Sequence, residues 1–200
     1  MVFERGFYMK SKGMSTKTIA IGAIMTAIVI VVQCIATYTT FFGPFSTAIA
    51  LVPIAIGAAL CGVTVGAWLG FVFGMVVLLT GGGALFFMFN IPGTIITVLV
   101  KGAACGLAAG FVYKLLEKRN STVAAVTASI VCPIVNTAVF LLGCLIFFKP
   151  FADQIAEVIG LTVSGMDVFI ALASGNFLFE LGMNVVLSPV VVRLLKLSKK

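Results

Sequence analysis

The sequence predicts an all-α membrane protein: six transmembrane helices in one bundle, with both termini cytoplasmic. Three observations carry this reading. Hydrophobic residues make up 62% of the 200 positions and charged residues only 10%, whereas soluble domains run at about 45–50% and about 25%. The apolar residues gather into runs matching a bilayer core about 30 Å thick, which takes about 20 residues of helix. The basic residues cluster between those runs.

Residues 1–200 read as a single integral membrane domain. A basic cytoplasmic segment, 1–16, precedes a six-helix bundle over 17–196, and 197–200 form a basic tail. The first span covers 17–38. A signal peptide has a short apolar core and a small-residue cleavage site; this run is full span length, so it is expected to be retained. Phe3, Phe7 and Tyr8 fit either an interfacial amphipathic turn or a solvated tail. TTFFGPFS, with the turn pair Gly43–Pro44, leads to the second span at 47–60. The third follows at 62–80 with almost no loop at Cys61–Gly62, and ends in TGGG. Pro92 suits a first helical turn and opens the fourth span, 92–116. The fifth runs 122–148 after EKRNS. KPFADQIAEVIGLTVSGMD is the longest connection, and the sixth span runs 167–196.

Charge fixes the orientation, because cytoplasmic loops collect Lys and Arg. With six spans, Arg5, Lys10, Lys12 and Lys17 share a side with Lys114, Lys118, Arg119, Arg193, Lys196, Lys199 and Lys200. The opposite side holds Lys149 with Asp153, Glu157 and Asp167. Eleven basic residues face one. The net charge of +7 therefore reflects topology and anionic lipid headgroups, and no nucleic-acid motif accompanies it.

Several function classes are excluded. GxxxxGK[ST] is absent, so no P-loop binds ATP. The chain has no His, which removes the commonest general base and metal ligand. Cys34, Cys61, Cys105, Cys132 and Cys144 are scattered without metal-site spacing and read as small apolar residues. Ser164 and Ser174 lack an evident base. No catalytic residue, metal site or cofactor is expected.

Two patterns remain. Gly62, Gly66, Gly70 and Gly74 stand four apart, as do Gly102, Gly106 and Gly110; Ala20, Ala23 and Ala27 place small residues on the first span. Such spacing lets helices approach closely in lipid, either within the bundle or against a partner. The second pattern is polar. Ionisable residues within spans are costly and mark function by default, and here they are Lys101 and Glu180. Counting along the helices puts Lys101 and Asn176 about 14 Å and Glu180 about 20 Å from the outer ends. Asn136, about 21 Å from the inner end of its span, falls in the same slab, and Pro133 sits one turn earlier. Asn176, Glu180 and Asn184 stack on one helix face; Asn184, deeper, is expected to serve packing. Asn90 lies at the outer mouth. FFGPF (41–45) and ALFFMF (84–89) fit a lid, or an interfacial aromatic belt. The slab is either a self-satisfied Lys101–Glu180 pair with two amides or a pocket for a small polar molecule.

Six spans in 200 residues, both termini inside, and Ala-xxx-Ala in the first span resemble the substrate-binding S components of energy-coupling factor (ECF) transporters. GPFSTAIALVPIAIGAALCGVTVGAWLGFVFG (43–74) and PGTIITVLVKGAACGLAAGFVYKLL (92–116) resemble that family's vitamin-uptake branch. The resemblance implies a bacterial plasma-membrane protein that binds a vitamin at its outer side. It would work with a membrane coupling protein and two cytoplasmic ATPases. Ala20, Ala23 and Ala27 would form the docking face; Asn90, Lys101, Asn136, Asn176 and Glu180 would bind substrate. Lys101 suits the carboxylate of pantothenate, ahead of riboflavin, whose hydroxyls would use the amides; a lone carboxylate would suit thiamine. A stand-alone ion-coupled carrier and a membrane scaffold are the competing readings.

Overall fold

The computed structural model describes residues 15–38 and 49–198. The described elements are helices throughout: α1 (Thr16–Tyr38), α2 (Leu51–Cys61), α3 (Val63–Leu79), α4 (Ala84–Phe87), α5 (Ile91–Leu116), α6 (Ser121–Gly143), α7 (Ala152–Ile159) and α8 (Met166–Ser198). Four helical segments are long and apolar enough to cross a membrane: Thr16–Thr37, Ile91–Leu116, Ser121–Ile159 and Met166–Arg193. The second and third expected spans form shorter helices. α2 has 11 residues and α3 has 17, about 16 Å and about 25 Å of helix, against a hydrocarbon core about 30 Å thick.

Local chemistry sets the boundaries. α2 and α3 are joined by one residue, Gly62, at φ +92°, a conformation natural to glycine alone. Its N–H closes α2 on the Ala58 carbonyl at 3.0 Å. Asn90 caps α5 by accepting the Gly93 N–H at 2.9 Å, with Pro92 in the first turn. Asn120 caps α6 by accepting from the Thr122 N–H at 2.9 Å.

The two glycine ladders meet each other. Gly66 faces Gly106, Gly70 faces Gly102, and Gly74 faces Val98. A Cβ on Gly66 would stand 2.5 Å from the Gly106 carbonyl oxygen, and one on Gly74 would stand 2.9 Å from that of Val98. Gly70 and Gly102 would each drive a Cβ into the other's carbonyl. α3 and α5 thus lie backbone on backbone, as small residues permit where lipid gives no hydrophobic drive. The ladders serve packing within the bundle. Gly62, counted with them by spacing, is instead the α2–α3 elbow, where an added Cβ meets nothing within 4 Å. Ile54, Leu69, Phe73, Cys105, Ala109, Ala128 and Cys132 fill the core around this seam.

The connection from 149 to 167 differs from the expected loop. A π turn over Cys144–Phe148 and a 3₁₀ turn over Lys149–Phe151 carry the chain into α7. Ala152, Ile155, Ala156 and Ile159 repeat at helical spacing. Ile155 and Ala156 are buried against Phe148, Val168 and Phe169, leaving Asp153 and Glu157 exposed. Gly160 ends the helix in the left-handed region at φ +72°, the usual glycine stop. The same cluster takes in Phe86 of α4, edge-on to Phe140 at 5.6 Å and to Phe148 at 4.9 Å. Phe86 is therefore core rather than part of an interfacial belt. Residues 41–45 lie outside the described residues.

Gly70→Ala should lower stability by about 1–3 kcal/mol, the cost of overpacking. Gly175→Ala, where an added Cβ meets nothing within 4 Å, should not. Thermal unfolding in detergent compares the two, and equal midpoints would contradict the backbone contact.

Candidate functional site

Three helices converge on one polar cluster. α5 carries Lys101, ten residues past Ile91 and so about 15 Å along the helix. α6 carries Asn136 and, one turn on, Phe140. α8 carries Asn176 and, one turn on, Glu180. Because i and i+4 share a face, each helix offers its polar group toward the same place.

Glu180 is the centre. Its side chain is 1% exposed and Asn136 is 3% exposed. Asn176 Nδ2 donates to Glu180 Oε1 at 2.7 Å. Asn136 Nδ2 donates to Oε2 at the longer distance of 3.4 Å. An ionised carboxylate only accepts, so both amides must turn their NH₂ groups toward it. The Lys101 ammonium is attracted by the Glu180 charge and lies 5.3 Å from the Phe140 ring centre, within cation–π range. A carboxylate out of water is tolerated only with such partners.

The cluster borders a small cavity of about 30 Å³, lined by Lys101 from α5, Asn136, Thr137 and Phe140 from α6, and Leu172 and Asn176 from α8. That is room for about two waters. Asn136 Oδ1 and Asn176 Oδ1 are buried and have no hydrogen-bond partner. Phe140 and Leu172 also pack against the α7 aromatic cluster, which roofs the cavity.

The structure therefore brings Lys101, Asn136, Asn176 and Glu180 together. Asn90 is elsewhere: its carbonyl side is spent on the α5 cap and its Nδ2 donates to the Phe147 carbonyl at 3.5 Å. Asn184 donates to the Glu180 backbone carbonyl at 2.8 Å and is buried in the bundle. Ala20, Ala23 and Ala27 are exposed along α1. Ala23 borders an apolar groove of about 390 Å³ between α1 and α3, with Gly22 and Trp68; no residue of α1 lines the polar cavity. Sequence reasoning missed Phe140, Thr137 and Leu172. Only the four-residue step from Asn136 to Phe140 pointed to any of them. Thr97, one turn before Lys101, also has a buried hydroxyl without a partner.

Apolar helices enclosing a charged polar cluster point to a multi-pass membrane protein. The sequence matches the family model described as ECF transporter, substrate-specific component, over residues 17–195. The chain belongs to that family, whose members bind a small-molecule substrate for transport rather than act as enzymes. No curated protein matches the sequence significantly. The fold is similar to that of ThiT from Listeria monocytogenes, with a TM-score of 0.63 at 18% identity, covering 92% of this chain and 95% of that one. At that identity the likeness speaks for the fold alone.

Glu180→Ala should cost about 2–4 kcal/mol, because two buried amides lose their acceptor and Lys101 loses a nearby opposite charge together. An unchanged unfolding midpoint would show that the cluster does not hold α6 to α8.

Proposed function

We propose that this chain is the substrate-capturing subunit of an ECF-type importer in the cell membrane, taking up a water-soluble vitamin or vitamin precursor. Pantothenate is the first candidate and riboflavin the second. The observation that carries this reading is the half-buried Lys101 ammonium at the cavity wall, beside two amides whose oxygens are unpartnered. A substrate carboxylate is the natural partner for a lysine in so apolar a setting.

The cavity is far below the roughly 300–1,000 Å³ of sites for drug-sized ligands. Loading therefore needs Phe140 and Leu172 to move aside from the aromatic roof. In this reading α2 and α3 complete a six-span bundle, the α7 end faces outward and both termini are cytoplasmic. Lys114, Lys118, Arg119 and Arg193 then share the inner end. The chain carries no ATP-binding loop, so a membrane coupling protein and two cytoplasmic ATPases supply the energy. The exposed small residues Ala20, Ala23 and Ala27 are the proposed docking face for the coupling protein.

Lys101→Ala should weaken pantothenate binding about tenfold or more, the loss of one charge-assisted contact of about 1.5–3 kcal/mol. Titration calorimetry on the purified chain measures it. Unchanged affinity would remove Lys101 from the site. Ala23→Trp should leave binding intact and abolish ATP-driven uptake in cells. Equal loss of both would mean that α1 only packs the fold. Uptake into vesicles holding this chain alone, driven by an ion gradient, would overturn the reading in favour of a secondary carrier.

A further inference from the structure

The cluster of Glu180, Asn136 and Asn176 contains more information than a list of polar residues. An asparagine side chain offers a donor end and an acceptor end. Left free, each amide at the cavity would turn either way and recognise donors and acceptors alike. Here Glu180 removes that freedom. Its two oxygens take Nδ2 of Asn176 at 2.7 Å and Nδ2 of Asn136 at 3.4 Å. Reversing either amide would set its oxygen against a carboxylate oxygen, with no hydrogen between them. Both amide oxygens are thereby turned away from Glu180. Both are buried, and neither finds a partner in the protein.

An unpartnered buried acceptor costs about 1–3 kcal/mol. Two of them, on the two asparagines that line one cavity, form a standing demand for donors from whatever enters. The third polar group there is the Lys101 ammonium, which only donates. The two asparagines that carry these acceptors line the cavity from α6 and α8, and Lys101 lines it from α5.

Resting on the substrate-capture reading above, we infer that Glu180 is a positioning residue that locks the two amides, so that the site selects an anionic solute carrying hydroxyl or amide N–H donors. The solute's anionic group meets Lys101 and its donors meet Asn136 Oδ1 and Asn176 Oδ1. Glu180 itself does not touch the solute. Cationic solutes are disfavoured, because Lys101 repels them and the carboxylate that would attract them is already clasped. This assigns Glu180 a role different from direct substrate contact, and it makes hydroxyl recognition depend on a residue behind the wall.

The test is calorimetric binding to the purified full chain, with pantothenate, an analogue lacking both its hydroxyls, and thiamine as probes. In the wild type, removing the hydroxyls should weaken binding about tenfold or more, since a site built to hydrogen-bond a group rejects the analogue lacking it. In Glu180→Gln one clasping oxygen becomes a donor, an amide is released, and the same removal should cost less than about threefold. Asn176→Ala should likewise collapse the ratio, and it serves alone if the Glu180 variant does not fold. An undiminished hydroxyl ratio in either variant would overturn the positioning role. Thiamine bound more tightly than pantothenate would overturn the proposed solute class while leaving a vitamin-binding subunit. Riboflavin serves as a fourth probe: its binding in place of pantothenate would overturn the anionic solute class while leaving a vitamin-binding subunit, and a chain that binds none of the four would overturn the substrate-capture reading and this inference with it.

Discussion

The constraint on which the structure turns is a single carboxylate that has to survive in an apolar interior. Glu180 sits at 1% exposure, and it is the one acidic side chain among the buried residues described. Leaving it ionised and unpaired would cost several kcal/mol. The fold answers by drawing one amide from α6, a second from its own helix one turn away, and an ammonium from α5. Those partners bring groups from α5, α6 and α8 around one carboxylate. The polar cavity is what this arrangement leaves at its edge.

A different physics holds the rest of the bundle. Between α3 and α5 the contact is backbone on backbone, with Gly66, Gly70, Gly102 and Gly106 interlocked. Nothing larger than hydrogen fits there, so those two helices form a rigid frame. The α6–α8 seam is instead made of side chains, bridged by the long hydrogen bond from Asn136 to Glu180, and beside it lies an aromatic roof of rings packed edge to face. Rings can rotate and a long hydrogen bond can open at modest cost, whereas glycine rails cannot part without losing the whole contact. In the proposed reading, accommodation of a solute falls to α6, α8 and the roof, with α5 holding Lys101 steady against the frame.

Much of this was legible in the sequence, for identifiable reasons. Helix spacing put Asn176 and Glu180 on one face, and the regular rise of a helix put Lys101 and Asn136 at matching depth, so their convergence followed from counting. The glycine ladders were visible, but spacing does not say which surface a ladder meets; the facing pair Gly70–Gly102 exists only in three dimensions. Gly62 looked like a member of the ladder because periodicity is blind to a positive φ. α7 was hidden by its charges: Asp153 and Glu157 read as loop, while Ile155 and Ala156 carried the buried stripe. Asn90 drew notice as a polar residue at a mouth, though Asn before a proline-led helix is first of all a cap. The direction in which Asn136 and Asn176 turn their amides was beyond sequence reading, because it depends on contact with Glu180.

Native mass spectrometry is the most direct test of the central claim, that the Lys101–Asn136–Asn176 cavity receives a small polar solute. The gently purified chain would be incubated with a panel of water-soluble vitamins, then transferred intact beside Lys101→Ala. The account expects one retained mass on the wild type, that of an anionic, hydroxyl-bearing vitamin, and its loss from the variant. A wild-type chain that retains no vitamin, or a retained mass unaffected by Lys101→Ala, would contradict it.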